Sequence, residues 1–405
     1  MIEWSEQHQA IFSAFRRFVQ QEIAPLRDEL EHGTLPPYDV LRKMFATFGL
    51  KELAEMRFAK ALEQDAAADR PASDSEQDDG VGGDMVAMQM IPIIELSRVS
   101  PGMVTALGVS AGLTAGTILS RGTRAQKERW GRELLTLDRI GAWAITEPGS
   151  GSDAFGAMTS TARRDGDEYL LNGNKTFITN GPYADTIVFI CKLDEGNDPK
   201  VRKVLSFVLD RGMPGLTQSK PLRKMGLHAS PTGELFLEDV RVGRERLLGE
   251  TEEISYRTGA KDTFKTERTG VVAMALGIVE ECLELCVNYA KTRVQFGKPI
   301  GEFQLIQLKI AKMEVARMNI QNLAFRLIEL ARKGKKMSLA EASACKLYCA
   351  GAASEVALEA VQLFGGNGYM AEYRVEQLAR DAKVLQIYGG TDEIQVSQIA
   401  RSLLE

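Results

Sequence analysis

The hydrophobic pattern of this sequence changes its period twice, which restricts the chain to a fold with three parts. Apolar residues recur every three to four positions near the start, as at Phe12, Phe15 and Val19. From about residue 139 to 250, short apolar runs between turn residues predict β-strands. Helical spacing then returns, and no proline follows Pro299. The pattern therefore predicts a helical segment, a β segment and a second helical segment.

The length supports the same division. At 405 residues the chain exceeds the usual size of a single hydrophobic core, so we expect more than one domain. We place an N-terminal helical domain at 1–138, a β-strand domain at 139–254 and a C-terminal four-helix bundle at 255–405. Apolar positions in the last segment alternate by three and four, which is typical of a bundle core. The predicted fold class is α+β.

Three local patterns carry predictions of their own. Ser5 precedes an amphipathic stretch and is expected to cap its helix. Asn172-Gly173 separates two short apolar runs and predicts a hairpin turn. The segment 65–84 is rich in acidic residues, Pro, Ser and Gly. We expect a mobile surface loop there, with a lid near the substrate entrance as the alternative.

Composition excludes several classes of function. The net charge of −5 gives no reason to expect nucleic acid or an anionic membrane as partner. Three distant histidines and five cysteines do not form a zinc-binding pattern, so we expect no metal and buried, reduced thiols. The start of the chain lacks a signal pattern, and no run of 18 apolar residues occurs. We therefore expect a cytoplasmic protein without a membrane span.

The stretch 143–153, WAITEPGSGSD, ends an apolar run with a turn rich in Gly and Ser. Gly149 and Gly151 lack a Cβ, so the backbone can approach a ligand closely, and the N–H groups and hydroxyls suit phosphate or an acceptor-rich ring edge. The next glycine is at Gly156, too far on for a dinucleotide fingerprint, and no P-loop sequence follows. These residues alone leave open a ligand-free turn or a cofactor site.

Four later stretches follow in order: 173–181 (GNKTFITNG), 293–298 (RVQFGK), 362–368 (QLFGGNG) and 380–391 (RDAKVLQIYGGT). Together with the first stretch they resemble the acyl-CoA dehydrogenase family over nearly the whole chain. The resemblance implies a helical, β, helical fold and a homotetramer built as a dimer of dimers. It further implies FAD-dependent oxidation of an acyl-CoA to the trans-2-enoyl-CoA in fatty acid β-oxidation, with electron-transferring flavoprotein as electron acceptor.

By this resemblance, two groups of residues bind FAD. The group at the flavin and its pyrophosphate is Trp143, Ile145, Thr146, Gly151, Ser152, Phe177 and Thr179, completed by Thr391 and Glu393. The group that reaches the adenosine half from a neighbouring subunit is Arg293, Phe296, Gln304, Gln362 and Gly366. Phe177 stands where most relatives carry Trp.

The resemblance also raises the question of the catalytic base. Many members place a Glu directly after the tyrosine of the last motif, but here Tyr388 is followed by Gly389. A minority place it on the helix that begins the C-terminal domain, just before an arginine, where this chain has Glu267-Arg268. We therefore expect Glu267 to remove the α-proton, because Gly389 leaves room for it and two carboxylates there would repel each other. The Gly389 N–H and a ribityl hydroxyl of FAD are expected to stabilise the enolate oxygen.

The residues expected at the substrate are Arg268, Ser152, Phe264, Ser230 and Tyr388. Other carboxylates have structural interpretations. Glu147 is expected to pair with a nearby base, Asp153 to accept a hydrogen bond within its turn, and Asp392 and Glu393 to begin a helix. Two alternatives in function stay open. One is an oxidase that uses O₂, and the other, suggested by Gly389, is a non-catalytic relative that binds flavin or acyl-CoA.

Overall fold

The computed structural model of the protein describes residues 3–68, 81–253 and 256–405, with side chains described for 3–63, 82–253 and 267–405. The helices before the sheet are α1 Glu6–Phe18, α2 Arg27–His32, α3 Tyr38–Thr47, α4 Leu50–Ala68, α5 Val81–Val99, α6 Pro101–Leu107, α7 Ala115–Arg121, α8 Arg124–Gln126 and α9 Arg132–Leu135. The strands are β1 Gly141–Ala144, β2 Thr161–Asp165, β3 Glu168–Thr179, β4 Thr186–Leu193, β5 Val204–Asp210, β6 Leu216–Gln218, β7 Thr232–Gly243, β8 Val294–Gln295 and β9 Lys298–Pro299. The later helices are α10 Tyr256–Thr292, α11 Gln304–Arg332, α12 Leu339–Phe364, α13 Val375–Lys383 and α14 Asp392–Leu404.

Strands β1 to β7 form one mixed sheet in the middle of the chain. The order is β1-β4-β2-β3-β7-β6, with β5 pairing on the other edge of β4. β1 and β2 run parallel to β4 along the same edge, and the remaining pairs are antiparallel. All eight residues of β4 are buried, as expected for a central strand covered on both faces. The predicted α+β class, with helical regions on both sides of a β region, is confirmed.

The hairpin predicted at Asn172-Gly173 is wrong. β3 runs without a turn through both residues, and its pairing with β7 shifts register between Leu171 and Gly173. A Cβ on Gly173 would lie 2.2 Å from the Ser160 hydroxyl, so glycine here serves close packing. The true hairpin joins β2 to β3 through Gly166-Asp167, where Gly166 has φ +63°.

The prediction of a loop over 65–84 is wrong at both ends. α4 continues to Ala68, and α5 already begins at Val81. Residues Ala66 to Ala68 are alanines, the residue type with the highest helix propensity. This propensity outweighs the acidic composition around them. Residues 69–80 lie outside the described part of the chain, and with them the proposed lid. The predicted cap is confirmed, because the Ser5 side chain accepts a hydrogen bond from the His8 N–H.

The two helical regions share one hydrophobic core instead of forming separate ones. Ile91 and Ile94 of α5 belong to the same buried cluster as Leu276 of α10 and Ile320 of α11. α5 and α10 approach so closely that a Cβ on Gly277 would lie 2.2 Å from the Ile94 carbonyl oxygen. All five cysteines are buried, as expected, and each is unpaired. Helices α1, α3 and α5 therefore share their core with the C-terminal bundle, whereas α4, α7 and α9 pack in a second cluster with the sheet.

Helix α6 connects the helical core to the sheet. It continues through a π-helical segment, Gly108–Thr114, into α7. Within the described part of the chain, the run Pro101–Arg121 is the one helix long and apolar enough to cross a membrane by length and composition, and half of its most apolar window is buried in the protein. The Ser110 hydroxyl accepts a hydrogen bond of 2.8 Å from the Gly141 N–H at the start of β1. The end of α6 is therefore bonded to the sheet.

Asn180 completes this connection just after β3. Its Nδ2 donates to the carbonyl oxygens of Ala106 and Gly141 at 2.9 Å each, and its Oδ1 accepts from the Tyr38 hydroxyl at 3.0 Å. The residue is fully buried and has φ +63°, a conformation that asparagine tolerates better than most residues. One side chain therefore joins α3, α6 and two strands.

We expect Asn180→Ala to lower the stability of the protein by at least about 2 kcal/mol, because it leaves three buried polar groups without their partner. Thermal unfolding of the purified protein would show this as a lower midpoint. Asn319→Ala is the matched control, since Asn319 donates its one bond to the Tyr348 hydroxyl at the surface. Equal midpoints for the two variants would contradict the assigned role of Asn180.

Candidate active site

The turn after β1 is closed by its own backbone. The Glu147 N–H donates to the Ser150 carbonyl at 3.1 Å, and the Ser150 N–H donates back to the Glu147 carbonyl at 3.0 Å. The Ser150 hydroxyl donates to the Asp153 carbonyl, and the Asp153 carboxylate accepts from the Gly156 N–H at 3.1 Å, as predicted. Gly151 and Ser152 are left exposed at the tip. The turn is rigid at its base and open where a ligand would lie.

Glu147 holds this turn against the sheet through a buried ion pair. Its carboxylate accepts from Lys175 Nζ at 2.8 Å, from Thr159 N at 2.7 Å and Oγ1 at 2.6 Å, and from the Ser160 N–H at 3.0 Å. Burial would raise the pKa of this carboxyl, but Lys175 and these donors together lower it to about 2. Lys175, fully buried, also donates to the Ile145 carbonyl at 3.0 Å. The predicted pairing of Glu147 with a nearby base is confirmed.

Strand β3 turns an aromatic side chain outward beside the turn. Its register with β7 shifts between Lys175 and Ile178, and Phe177 within this bulge has φ +56°. A bulge redirects side chains, and Phe177 is 69% exposed although it belongs to the sheet. The Thr176 N–H donates to the Thr146 carbonyl at 2.9 Å, which fixes the bulge to the turn. The predicted flavin residues of the turn and of β3 therefore lie together on one face of the sheet.

The structure places Glu267 of α10 beside Gly389. A Cβ built on Gly389 would lie 3.4 Å from Glu267 Cδ and 3.6 Å from its Oε1. Gly389 has φ +64° and Gly390 φ +90°, so this two-residue segment, the diglycine turn, adopts a conformation that favours glycine at both positions. The carboxyl of Glu267 therefore occupies the space next to a turn that carries no side chain.

Burial determines the ionisation of Glu267. It raises the pKa of the carboxyl to about 7, against the lowering effect of Arg268 and Lys346. Both cations have other partners. Arg268 donates to the Ser343 hydroxyl at 3.0 Å and to the Gly389 carbonyl at 3.4 Å, and Lys346 donates to Asp392 at 3.1 Å. A carboxyl with a pKa near 7 can accept a proton at neutral pH, as a general base must.

Tyr388 connects the diglycine turn to α6. Its hydroxyl donates to Met274 Sδ at 3.3 Å and lies within hydrogen-bonding reach of the Thr105 side chain. Its pKa is raised by burial and by the nearby Glu267 carboxylate. Thr105 immediately precedes Ala106, whose carbonyl receives Asn180 from the sheet. Helix α6 therefore contacts the diglycine turn through Thr105 and the end of β3 through Ala106.

Of the other predicted site residues, some are packed inside the chain and others are exposed on its surface. Ser230 is buried, and its N–H lies so near α6 that a Cβ on Gly102 would be 3.0 Å from it. Thr391 caps α14, and Asp392 and Glu393 begin it as expected. The predicted adenosine residues Arg293, Phe296, Gln304, Gln362 and Gly366 are all exposed in the single chain. The side chain of Phe264 lies outside the described residues.

Sequence reasoning missed three residues around Glu267: Thr105, Lys346 and Gln395. Lys346 and Gln395 are both fully buried. Lys346 carried a detectable signal, because a lysine among small apolar residues in the middle of a helix pattern needs a buried partner. Thr105 carried none, since its contact with Tyr388 joins residues distant in the chain. Gln395 carried none because a glutamine in the first turn of a helix does not indicate bonds to the backbone carbonyls five and six residues before it.

Models of three domains match the chain: the N-terminal domain of acyl-CoA dehydrogenases at residues 72–138, the middle domain at 142–240 and the C-terminal domain at 258–404. The short-chain specific acyl-CoA dehydrogenase of Megasphaera elsdenii is 39% identical over 323 residues, which cover 80% of this chain and 83% of the relative. The caffeyl-CoA reductase-Etf complex subunit CarC of Acetobacterium woodii is 35% identical over 99% of both chains.

Solved structures agree in fold. Butyryl-CoA dehydrogenase from Megasphaera elsdenii superposes with a TM-score of 0.82 at 32% identity and covers all of both chains. A glutaryl-CoA dehydrogenase from Mycobacterium smegmatis in complex with FADH2 superposes with a TM-score of 0.81 at 27% identity, over 99% of this chain and 95% of that one.

We expect Glu147→Gln to destabilise the sheet by about 3–5 kcal/mol, because it leaves the Lys175 ammonium buried without a counter-charge. Loss of the turn should also release bound flavin, measured as flavin absorbance per protein after gel filtration. Glu168→Gln is the control, since Glu168 pairs with Arg241 at the surface, where such pairs contribute little. Flavin retention in the Glu147 variant equal to that of the control would contradict this role.

The stabilisation of the protein by Glu147 depends on pH in a definite direction. The pKa of Glu147 is lowered from 4.5 to about 2, so its stabilising effect is complete above pH 4.5 and is lost as the pH falls towards 2. The difference in unfolding midpoint between wild type and Glu147→Gln should therefore shrink below pH 4.5. A difference that grows on acidification would show that the carboxylate is not stabilised by its surroundings.

Proposed function

Because the chain belongs to the acyl-CoA dehydrogenase family, we propose that Glu267 is the base that removes the α-proton of its acyl-CoA substrate. The protein is an FAD-dependent oxidoreductase that acts on acyl-CoA thioesters. The observation that carries the proposal is the position of the Glu267 carboxyl, half-buried and with its Cδ 3.4 Å from the place that a Cβ at Gly389 would take. Its pKa near 7 suits proton transfer at neutral pH.

The chain has a face that fits FAD. A Cβ on Gly149 or Gly151 would meet nothing within 4 Å, so the turn is open to a pyrophosphate, and its exposed N–H groups and hydroxyls are the donors that phosphate oxygens need. Phe177, exposed beside it, offers an apolar ring to a flavin edge. FAD, when bound, supplies the acceptor for the β-hydride. We assign Trp143, Ile145, Thr146, Gly151, Ser152, Phe177 and Thr179 to this face, with Thr391 and Glu393 at its margin.

Removal of the α-proton leaves negative charge on the thioester oxygen. We propose that the Gly389 backbone N–H donates to this oxygen, because a backbone donor is kept when a side chain is absent. The proton passes to the Glu267 carboxylate. The neighbouring residues proposed to contact the substrate are Arg268, Ser152, Phe264, Ser230 and Tyr388.

The adenosine half of the cofactor site is proposed to be shared between subunits. Phe296 is 93% exposed in the single chain and has φ +50°, an arrangement that a partner surface would explain. Arg293, Gln304, Gln362 and Gly366 are exposed as well. We propose a homotetramer, with electron-transferring flavoprotein as the electron acceptor, since the relative from Acetobacterium woodii belongs to a complex that contains Etf. A soluble, cytoplasmic enzyme completes the proposal.

We expect Glu267→Gln to keep its FAD and to lose turnover by roughly 10²–10⁴-fold, because the amide cannot accept the proton. Because folding raises the pKa of Glu267 from 4.5 to about 7, the wild type loses stability as the pH rises from 4.5 to 7, so the variant should be no less stable than wild type at pH 8. Dye reduction on addition of acyl-CoA measures the rate. Glu372→Gln, an exposed glutamate, is the control. Wild-type turnover in the Glu267 variant would refute the assignment.

The pKa of Glu267 also predicts how kcat/KM of the wild type depends on pH. kcat/KM reports the pKa of the free enzyme's base, so it should rise with pH and level off above about 7. The residual activity of Glu267→Gln should lack this rise. An unchanged profile in the variant would assign the titration to another group.

We expect Phe296→Asp to lower the FAD content and the size of the assembly together, because a buried charge is costly at an interface. Sedimentation velocity measures the size, and flavin absorbance measures the content. Val201→Asp is the control, since Val201 is 70% exposed on the connection between β4 and β5, far from the predicted adenosine residues in the chain. A variant of unchanged size that still loses FAD would refute the shared site.

A further inference from the structure

One buried side chain holds both carbonyl groups of the diglycine turn. Gln395, fully buried in the first turn of α14, donates from Nε2 to the Gly389 carbonyl at 3.1 Å and to the Gly390 carbonyl at 2.7 Å. A Cβ on Gly390 would lie 2.8 Å from the same nitrogen, so the contact is close on both sides. The Gln395 amide therefore leaves room for a glycine at position 390 and for no larger residue.

The orientation of the amide follows from its surroundings. Nε2 carries two hydrogens, one for each carbonyl, whereas Oε1 has no hydrogen-bond partner among the described residues. A buried acceptor without a partner costs about 1–3 kcal/mol. The reverse orientation would place Oε1 against two carbonyl oxygens, which is worse. The observed orientation therefore leaves Oε1 without a partner and gives each of the two backbone carbonyls a donor.

The contact with Gln395 restricts the diglycine turn, whose sequence alone would allow many backbone conformations. Two consecutive glycines have access to far more backbone conformations than other residues. Gln395 fixes the two peptide planes that follow Gly389, and Arg268 adds a second donor to the Gly389 carbonyl. On the other side, Tyr388 is fixed through its hydroxyl at Met274. The Gly389 N–H therefore lies between two fixed points.

We propose that Gln395 is a positioning residue of the reaction: it holds the diglycine turn so that the Gly389 N–H points at the thioester oxygen. The inference rests on the proposed function, which assigns that N–H to the oxygen. A donor held in place before the charge develops needs no reorganisation at the moment of proton transfer, and a displacement of about 1 Å is enough to reduce rates strongly. In this proposal Gln395 acts on the reaction only through the turn that it holds.

The test compares two buried glutamines. Gln395→Met removes both donors at nearly constant volume. Gln377→Met is the control, because Gln377 is equally buried on α13 and donates to the Val99 carbonyl at 3.1 Å and to Asp381 at 3.3 Å, away from the turn. Both are studied as FAD-loaded enzymes, with the acyl-CoA that reduces the wild-type flavin fastest in a series of straight and branched chains.

Two readouts separate positioning from structural support. We expect Gln395→Met to lower kcat by roughly ten- to a hundredfold with KM within about threefold of wild type, since the donor acts mainly on the developing charge. The carbonyl stretching frequency of a bound ¹³C-labelled thioester should move back towards its value in water. The long-wavelength absorption of a bound 3-thia-acyl-CoA, which forms an enolate beside the flavin, should weaken. Gln377→Met should match wild type in all three.

Wild-type kcat and carbonyl frequency in Gln395→Met, or losses equal to those of Gln377→Met, would overturn the proposal while leaving Glu267 as the base. If the methionine variant does not fold, Gln395→Asn keeps the amide and shortens its reach, and the same shift in carbonyl frequency is expected of it. A wild-type enzyme that binds acyl-CoA without flavin reduction and without a carbonyl shift would overturn the proposed function itself.

Discussion

The candidate active site depends on the packing of one carboxyl group against a residue without a side chain. Glu267 reaches the space beside Gly389 because glycine leaves it open, and the two cations nearest to it are bonded elsewhere. If Arg268 or Lys346 paired closely with the carboxylate, the pKa would fall below neutrality, as it does for Glu147 beside Lys175. These two glutamates show that burial favours a base only where the counter-charges are directed away.

Helix α6 explains how residues from distant parts of the chain meet. Its start packs on the segment with Ser230, Thr105 faces Tyr388, and Ala106 accepts from Asn180 at the end of β3. The same helix lies next to the core shared by α5 and α10. The sheet and the bundle are therefore positioned against a common element, and a shift of α6 would move the turn after β1 relative to Glu267.

The sequence was sufficient for the parts of the site that are local. The period of the apolar residues predicted the three segments, Ser5 caps α1 and Asp392 and Glu393 begin α14 as expected, and the pairing of Glu147 was foreseen. The hairpin at Asn172-Gly173 was wrong because Gly173 serves a close approach to Ser160, a reason that no turn statistic contains. Thr105 was missed because its importance comes from a contact with Tyr388, and no spacing in the sequence indicates such a pair.

The absence of a side chain at Gly389 has a structural consequence for the turn itself. Gly389 and Gly390 lose more conformational entropy on folding than any other pair would, and neither has a side chain through which the protein could hold it. The protein can hold such a turn only through its backbone groups, and Gln395 and Arg268 contact its two carbonyls. A mobile turn would let the Gly389 N–H drift, so the contacts of Gln395 and Arg268 with the two carbonyls set the direction of the donor that we propose for the enolate oxygen.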